Sequence, residues 1–245
     1  MEYKYTPKLF EPKKPFKLSR SKIELFIECP RCFYLDRRLG ISRPSLPGFT
    51  LNIAVDALLK KEFDTHRTNQ TTHPLMKAYG IKAVPFAHKE IDRWRNNFVG
   101  INYYDEKSMF DVFGAIDDVW VDEKTGELII VDYKATSTSA QITLDTEYRQ
   151  AYKRQMEIYQ WLFRQNNFNV SDISYFVYAN GKKDKKAFDG KLEFDVELIA
   201  YKGDSSWIPE KLIETRKCLE KTKPPSPNKK CEYCQYVEKS NDILN

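Results

Sequence analysis

Two aspartates and a lysine lie in the segment FGAIDDVWVDEKTGELIIVDYKATS, whose apolar pattern predicts two strands joined by a tight turn at 124–126. Asp117 stands near one end of the first strand and Asp132 near the same end of the second, so pairing makes them neighbours. Lys134 follows Asp132 by two positions, and such side chains share one face of a strand. Carboxylate oxygens suit Mg²⁺ or Mn²⁺. The pattern therefore predicts a divalent-metal site at Asp117 and Asp132, with Lys134 beside it.

A metal ion at these carboxylates suits the hydrolysis of a phosphate ester. Such an ion polarises the phosphate, lowers the pKa of a bound water and stabilises the charge of an in-line displacement. Lys134 would orient or deprotonate that water and offset charge on the phosphate. A solvated strand face also produces D-x-K triplets, but this triplet follows the apolar run Leu128–Val131, which is typical of a buried strand. Charged groups at the end of a buried strand favour a functional site.

Four motifs follow one another along the chain. They are Leu18-Ser19-Arg20-Ser21 continuing through Phe26, Cys29, Pro30, Phe33 and Tyr34, then Gly114-Ala115-Ile116-Asp117, Asp132-Tyr133-Lys134 and Gln155-Met156-Glu157-Ile158-Tyr159. Their order resembles the RecB-like branch of the PD-(D/E)xK nucleases, which includes the nuclease domains of AddAB-type recombination helicases and the CRISPR-adaptation exonucleases. The resemblance spans most of the chain.

This resemblance implies roles for individual residues. Asp117 and Asp132 would bind the metal, with the Tyr133 carbonyl as a further ligand. Gln155 and Tyr159 would contact DNA or support the site, and their spacing of four places them on one helix face. A core-facing tyrosine with a glutamine partner is the alternative interpretation of that pair.

One position departs from the branch that the chain resembles. Exonucleases of that branch usually carry a histidine on an early helix as an additional metal ligand, and the matching stretch Leu51–Asp56 places Asp56 there. An aspartate can also ligate a hard cation, so Asp56 is a predicted metal ligand. The substitution leaves the choice between exonuclease and endonuclease open.

Two C-x-x-C pairs form a second candidate site, Cys29 with Cys32 and Cys231 with Cys234. Four thiolates can hold Zn²⁺ or an iron–sulfur cluster. Several relatives in the resembled branch hold a 4Fe–4S cluster on one N-terminal and three C-terminal cysteines, and here Ser240 stands about where the last of those would fall. Zinc, a 4Fe–4S cluster and thiols packed as small hydrophobes all remain possible interpretations.

The elements that must position these residues follow from hydrophobic period and from breakers. Helical spacing predicts helices over 22–38, 52–63, 88–97, 147–166 and 205–221. Strand-like patterns lie near 112–121, 128–133, 173–178 and 192–200. This order predicts an α/β fold with a mixed central β-sheet flanked by helices and an N-terminal helical region. The resemblance adds that the core is restriction-endonuclease-like.

The same landmarks suggest how the chain is divided. We predict a basic N-terminal arm over residues 1–17, which three prolines interrupt, and a nuclease domain over 18–222 with a helical insertion at about 40–98. The proline-containing tail 223–245 carries the second cysteine pair and is predicted to pack on the N-terminal region.

Charge and hydropathy limit the class of protein. The 245 residues carry 40 Lys and Arg against 35 Asp and Glu, and basic residues cluster in the N-terminal arm and at Lys182–Lys186. Such clusters can neutralise phosphates, although solvated turns show them too. No apolar run approaches the about 18 residues that span a bilayer, and the start lacks the apolar core of a signal peptide. We expect a cytoplasmic protein that does not enter membranes.

Three functions are compatible with these features. The leading hypothesis is a Mg²⁺-dependent deoxyribonuclease acting on single- or double-stranded DNA, with a helicase or another DNA-processing partner supplying access. The alternative is a catalytically inactive or weak nucleic-acid-binding module of the same fold within a DNA repair or defence complex. A cysteine-metal structural protein unrelated to nucleases is the third.

Overall fold

A computed structural model describes residues 9–44 and 48–244 of the chain. Lys4 and Lys8 of the predicted arm, and part of the loop that follows Pro44, lie outside these described residues. Within the described ranges, no helix is both long enough and apolar enough to cross a membrane.

The described chain contains both helices and strands. In chain order they are β1 (Phe16–Ser19), α1 (Arg20–Glu28), α2 (Pro30–Leu39), α3 (Thr50–Asn69), α4 (Pro74–Ala78), β2 (Ala83–Pro85), α5 (Ile91–Trp94), β3 (Ile101–Asp105), β4 (Phe110–Gly114), β5 (Asp118–Asp122), β6 (Leu128–Thr136), α6 (Gln150–Gln165, after a 3₁₀ turn at Glu147–Arg149), β7 (Ile173–Gly181), β8 (Phe194–Lys202), α7 (Ile208–Glu220) and α8 (Glu232–Leu244).

The described chain divides into two compact units. The first takes in the described residues before 48, Tyr103–Phe113 and the described residues after 205. It contains a three-stranded sheet in the order β1-β4-β3, in which β1 and β4 are parallel. Helix α7 packs on α1 and α2 within this unit.

The second unit comprises Gly48–Asn102 and Gly114–Ser205. Its five-stranded sheet has the order β2-β5-β6-β7-β8. Strands β6 and β7 are parallel, and the remaining neighbours are antiparallel. Parallel neighbours need a long crossover, which α6 supplies. The predicted fold class, mixed sheets flanked by helices, is confirmed.

Strand β6 carries different residues on its two faces. Ile129, Val131 and Tyr133 belong to the buried cluster that includes Leu59 and Phe63 of α3. Because side chains alternate along a strand, Asp132 and Lys134 point to the opposite face, where α6 packs on β6. The alternation thus places the charged pair on one side of the strand and an aromatic core on the other.

The N-terminal helix prediction over 22–38 is wrong, because two helices form there. Cys29 is extended (φ −157°, ψ 99°) between α1 and α2, and Pro30 begins α2. A proline lacks the amide hydrogen and disfavours a helical residue before it, but it fits the first helical position. The break follows from Pro30.

Other boundaries differ from the prediction for local reasons. The helix predicted over 88–97 is limited to Ile91–Trp94, and α3 runs to Asn69, beyond its predicted end. Strand β2 was not predicted, because three residues are too few to show an alternating pattern. Beyond the prolines of the tail, Glu232–Leu244 forms a further helix.

The turn predicted at 124–126 is confirmed by the antiparallel pairing of β5 with β6. The Asp122 side chain accepts the amide hydrogens of Lys124 and Thr125, each at 2.8 Å. Gly126 supplies the left-handed backbone (φ 70°) that closes the turn,. This turn fixes the register that brings position 117 opposite position 132.

Gly100 holds the backbone just before the first aspartate. It has a φ of 62°, and a Cβ atom at this position would lie 2.3 Å from the carbonyl oxygen of Gly114. Gly114 begins the stretch that leads to Asp117. The close approach is possible because residue 100 has no side chain.

We predict that Gly100→Ala destabilises the protein by about 3 kcal/mol, since it combines a positive φ with a backbone clash. Gly80→Ala is the matched control, because Gly80 has a similar φ of 68° and open space around its Cβ position. That change should cost about 1 kcal/mol. The free energies of unfolding come from urea denaturation, and equal losses in the two variants would contradict the steric explanation.

Candidate active site and cysteine cluster

Asp117 and Asp132 lie side by side at one end of the β5–β6 pair. The register pairs Asp118 with Val131 in antiparallel strands, so Asp117, one residue earlier, faces Asp132, one residue later. The amide nitrogen of Tyr133 donates to Asp117 Oδ2 at 2.8 Å. The backbone of β6 therefore orients the Asp117 carboxylate.

Asp132 is fully buried and has polar partners on the α6 side. Lys134 forms an ion pair with its Oδ2 atom, and Gln155 Nε2 donates to its Oδ1 atom at 2.8 Å. Gln155 also donates to the Tyr159 hydroxyl oxygen at 3.1 Å. Both predicted residues of α6 are buried, and they form a chain of contacts that ends on Asp132.

The ammonium of Lys134 is held in its charged form. Burial disfavours the charge, but attraction by Asp132 and Asp117 outweighs burial and raises the pKa of Lys134 above its ordinary value. The Lys134 Nζ atom also lies 4.6 Å from the centroid of the Tyr152 ring, a cation–π distance. In this structure Lys134 is a positive charge beside the carboxylates.

Helix α3 brings Asp56 to the site together with a lysine that the sequence analysis missed. Lys60 Nζ lies 2.8 Å from Asp56 Oδ2 and 3.4 Å from Asp117 Oδ1. Burial and the negative charge of Asp117 raise the pKa of Asp56. The spacing of Asp56 and Lys60, one helical turn, was the available signal for this pair.

The donor atoms at this site fit a hard divalent cation. Asp56, Asp117 and Asp132 offer carboxylate oxygens, and Tyr133 offers a backbone carbonyl, which are the ligand types that Mg²⁺ and Mn²⁺ prefer. Within the described ranges, however, the three carboxylates do not form a set whose ligand atoms all lie within 4.8 Å of one another. Lys60 and Lys134 pair with these carboxylates instead.

Directly after Asp117, the buried Asp118 carboxylate is the centre of a hydrogen-bond network. Its oxygens accept from the Arg67 guanidinium, Arg95 Nη2 (3.1 Å), Val119 N (2.9 Å), Trp120 Nε1 (3.2 Å) and the Tyr133 hydroxyl (2.8 Å). Five donors, two of them from β5 itself and three from other segments, satisfy a carboxylate that has no access to water,.

Arg95 connects this network to the candidate site. Its Nε atom donates to the Asp117 carbonyl at 2.9 Å, and its Nη1 atom donates to both carboxylate oxygens of Asp64, also at 2.9 Å. Burial disfavours the charge on Arg95, but attraction by Asp118 and Asp64 outweighs it and raises its pKa. The position of the Asp117 backbone is therefore fixed from within the core.

The four cysteines of the two C-x-x-C pairs come together in the first unit. Cys29 Sγ lies 3.6 Å from Cys234 Sγ, and Cys32 Sγ lies 3.7 Å from Cys231 Sγ. All four side chains are buried, and their sulfurs lie within 4.8 Å of one another. None forms a disulfide.

The four thiols face one another because they lie at the starts of helices α2 and α8. Cys29 caps α2 and accepts the amide hydrogen of Cys32 at 3.4 Å, while Cys231 directly precedes α8 and Cys234 lies in its first turn. Burial opposes the thiolate of Cys231, but hydrogen bonds from the Cys234 backbone and the neighbouring thiols lower its pKa to about 7. Arg43 Nη2 adds a positive charge 3.4 Å from Cys231 Sγ.

Comparison with known proteins gives one match to a family. The model described as the PD-(D/E)XK nuclease superfamily matches residues 17–238. Among solved structures, the chain is similar to "Crystal structure of SSO0001", at 16% sequence identity and a TM-score of 0.45, over 93% of this chain and 87% of that chain. No curated protein matches the sequence.

We predict that Asp118→Ala destabilises the protein by about 4 kcal/mol, because it removes the buried carboxylate shared by Arg67 and Arg95 and leaves them only the partly exposed Asp64,. Tyr133→Phe should cost about 1 kcal/mol, since it removes a single donor from a carboxylate that keeps the others. Glu123→Gln is the control for Asp118→Ala, because it also removes one negative charge but lies at an exposed position. Thermal and urea unfolding measure all three, and an Asp118→Ala variant as stable as the control would rule the network out as a stabilising element.

Proposed function

This chain belongs to the PD-(D/E)XK nuclease superfamily, and from that premise we propose that it is a metal-dependent DNA nuclease that hydrolyses phosphodiester bonds. Members of the superfamily are generally nucleases. The observation that supports the proposal best is the meeting of Asp117, Asp132 and Lys134 at one end of a buried strand pair. Asp132 and Lys134 are mostly shielded from water there, where their electrostatic effect on a reacting phosphate is greatest.

Each residue has a proposed role. Asp117 and Asp132 hold a Mg²⁺ or Mn²⁺ ion, with Asp56 and the Tyr133 carbonyl as further ligands. When bound, the ion polarises the phosphate and makes a water nucleophilic. Lys134 orients that water and offsets the charge that develops on the phosphate.

Gln155 and Tyr159 act on the substrate indirectly in this proposal. Both are buried, and Gln155 donates to Asp132 rather than facing solvent. This arrangement favours support of Asp132 over direct contact with DNA. The lysines at 182–186 remain candidates for holding phosphates, since they line an open surface cleft with the exposed Phe188.

We further propose that the chain belongs to the RecB-like branch and works inside the cell in DNA repair or defence. The support is the motif order around Asp117, Asp132 and Gln155, together with cysteines that are all free in the described part of the chain. Free thiols suit a reducing compartment. A helicase or another DNA-processing protein is the partner class that would supply accessible strands. We also propose that the arm 1–17, the nuclease domain 18–222 and the tail 223–245 are the functional divisions.

The nuclease proposal predicts that Asp132→Ala and Lys134→Ala each lower the rate of DNA cleavage by at least about 100-fold. Purified protein is incubated with end-labelled single- and double-stranded DNA in Mg²⁺ or Mn²⁺, with EDTA as a blank. Lys202→Ala, an exposed lysine at the end of β8, serves as the control and should cleave normally.

Equal cleavage by the wild type and both site variants would show that the activity comes from elsewhere. Binding without cleavage in every metal condition would instead support the alternative, a nucleic-acid-binding module of the same fold. Stoichiometric zinc without any DNA binding would support a structural metal protein.

For the four cysteines we propose a metal centre that joins the N-terminal helices to the tail. The sulfur separations of 3.6 and 3.7 Å suit one tetrahedral ion, because Zn–S bonds of about 2.3 Å place the sulfurs about 3.8 Å apart. A 4Fe–4S cluster distributes its thiolates over four separate irons and needs wider spacing. The geometry therefore favours zinc.

We expect about one zinc and no iron per chain in protein purified without oxygen, and we expect Cys32→Ser to lose the zinc and to melt at a lower temperature. Cys218→Ser is the matched control, because Cys218 is buried and free but stands outside the cluster. Metal content comes from elemental analysis. Brown protein with about four irons would contradict zinc, and metal-free protein would contradict the centre itself.

A further inference from the structure

Lys60 is a second lysine at the candidate active site, and the proposed reaction has no role for it. It projects from α3 and contacts two carboxylates at once, Asp56 at 2.8 Å and Asp117 at 3.4 Å. Asp56 and Asp117 are both proposed ligands of the divalent ion. Lys60 therefore occupies oxygens that the ion would need.

The surroundings make this contact stronger than an ordinary surface ion pair. The side chains of Lys60, Asp56 and Asp117 are 22%, 33% and 23% exposed, respectively. Water and salt screen partly buried charges less than exposed ones. A lysine ammonium is positively charged at neutral pH, and Lys60 lies within ion-pair distance of carboxylates on two separate segments.

Lys60 offsets part of the negative charge of the carboxylates at this site. Asp117 faces Asp132 across the β5–β6 pair and shares Lys60 with Asp56, and neighbouring like charges destabilise a folded protein. Lys134 pairs with Asp132 on the α6 side, and Lys60 pairs with the other two on the α3 side. The two ammonium groups leave the cluster with a single net negative charge.

We propose that Lys60 is an internal counter-cation that competes with the divalent metal for Asp56 and Asp117. This inference rests on the proposed metal-dependent function. Lys60 stabilises the site while no metal is bound, and binding of the ion breaks its two contacts. The cost of breaking them lowers the affinity of the site for metal.

A helix-stabilising pair is the simpler explanation for Asp56 and Lys60, since residues four apart on a helix commonly form ion pairs. That explanation concerns stability alone and predicts no change in metal affinity when Lys60 is replaced. Competition predicts opposite changes in two measured quantities. Stability without metal falls, and affinity for metal rises.

The test is Mn²⁺ binding to the full chain by calorimetry, without DNA, supported by melting curves in EDTA and in Mn²⁺. Lys60→Met should bind Mn²⁺ about tenfold more tightly, because the two contacts of the ammonium with Asp56 and Asp117 no longer have to be broken. It should melt at a lower temperature in EDTA and gain more from added Mn²⁺ than the wild type. Lys60→Gln is a second variant in case the methionine impairs folding.

Two controls isolate the charge of Lys60. Lys61→Met replaces an exposed neighbour on the same helix and should leave Mn²⁺ affinity unchanged. Lys60→Arg keeps the positive charge and should stay close to the wild type. Asp132→Ala identifies the part of the binding signal that belongs to this site.

The outcomes separate this inference from the function on which it rests. Wild-type protein that binds Mn²⁺, with Lys60→Met and Lys60→Gln binding it equally or more weakly, overturns the competition and leaves the nuclease proposal intact. Wild-type protein that binds no Mn²⁺ at the Asp132-dependent site overturns both. Tighter binding by Lys60→Met but not by Lys61→Met supports the competition.

Discussion

The buried charge of Asp118 is the constraint on which the organisation of the second unit depends. A carboxylate without access to water must accept hydrogen bonds or become neutral. Asp118 accepts them from Arg67 of α3, Arg95 at the end of α5 and Tyr133 of β6. Its neighbour Asp117 inherits a fixed position from this arrangement. Arg95, which pairs with Asp118, also holds the Asp117 carbonyl. The same contacts that neutralise Asp118 in the core therefore fix the position of Asp117 at the candidate active site.

Local patterns accounted for the fold class and for the pairing of the two aspartates. The apolar run Leu128–Val131 and the turn at Gly126 specify a buried strand and its antiparallel neighbour, and a register follows once the turn is fixed. The register alone pairs Asp117 with Asp132, whereas the contact of Arg95 with the Asp117 carbonyl comes from a separate segment. Its use as a metal site remains our proposal.

The remaining features depend on contacts that no local pattern encodes. Lys60 reaches Asp117 across 57 positions and Arg67 reaches Asp118 across 51, and neither pairing has a periodic signal. The cysteine spacing identified two pairs, but only the folded chain brings their sulfurs to 3.6 and 3.7 Å. The helix break at Pro30 is different, because a proline is a local signal that disfavours a helical residue before it,.

The discontinuity of the first unit has a consequence for the order in which the protein can fold during synthesis. Cys29 contacts Cys234, which is translated 205 positions later, whereas the whole second unit is encoded between Gly48 and Ser205. Domains tend to fold as their residues emerge from the ribosome. The second unit can therefore form while the first still lacks its final helices, and Cys29 and Cys32 stay accessible to other thiols and metals until translation reaches the tail.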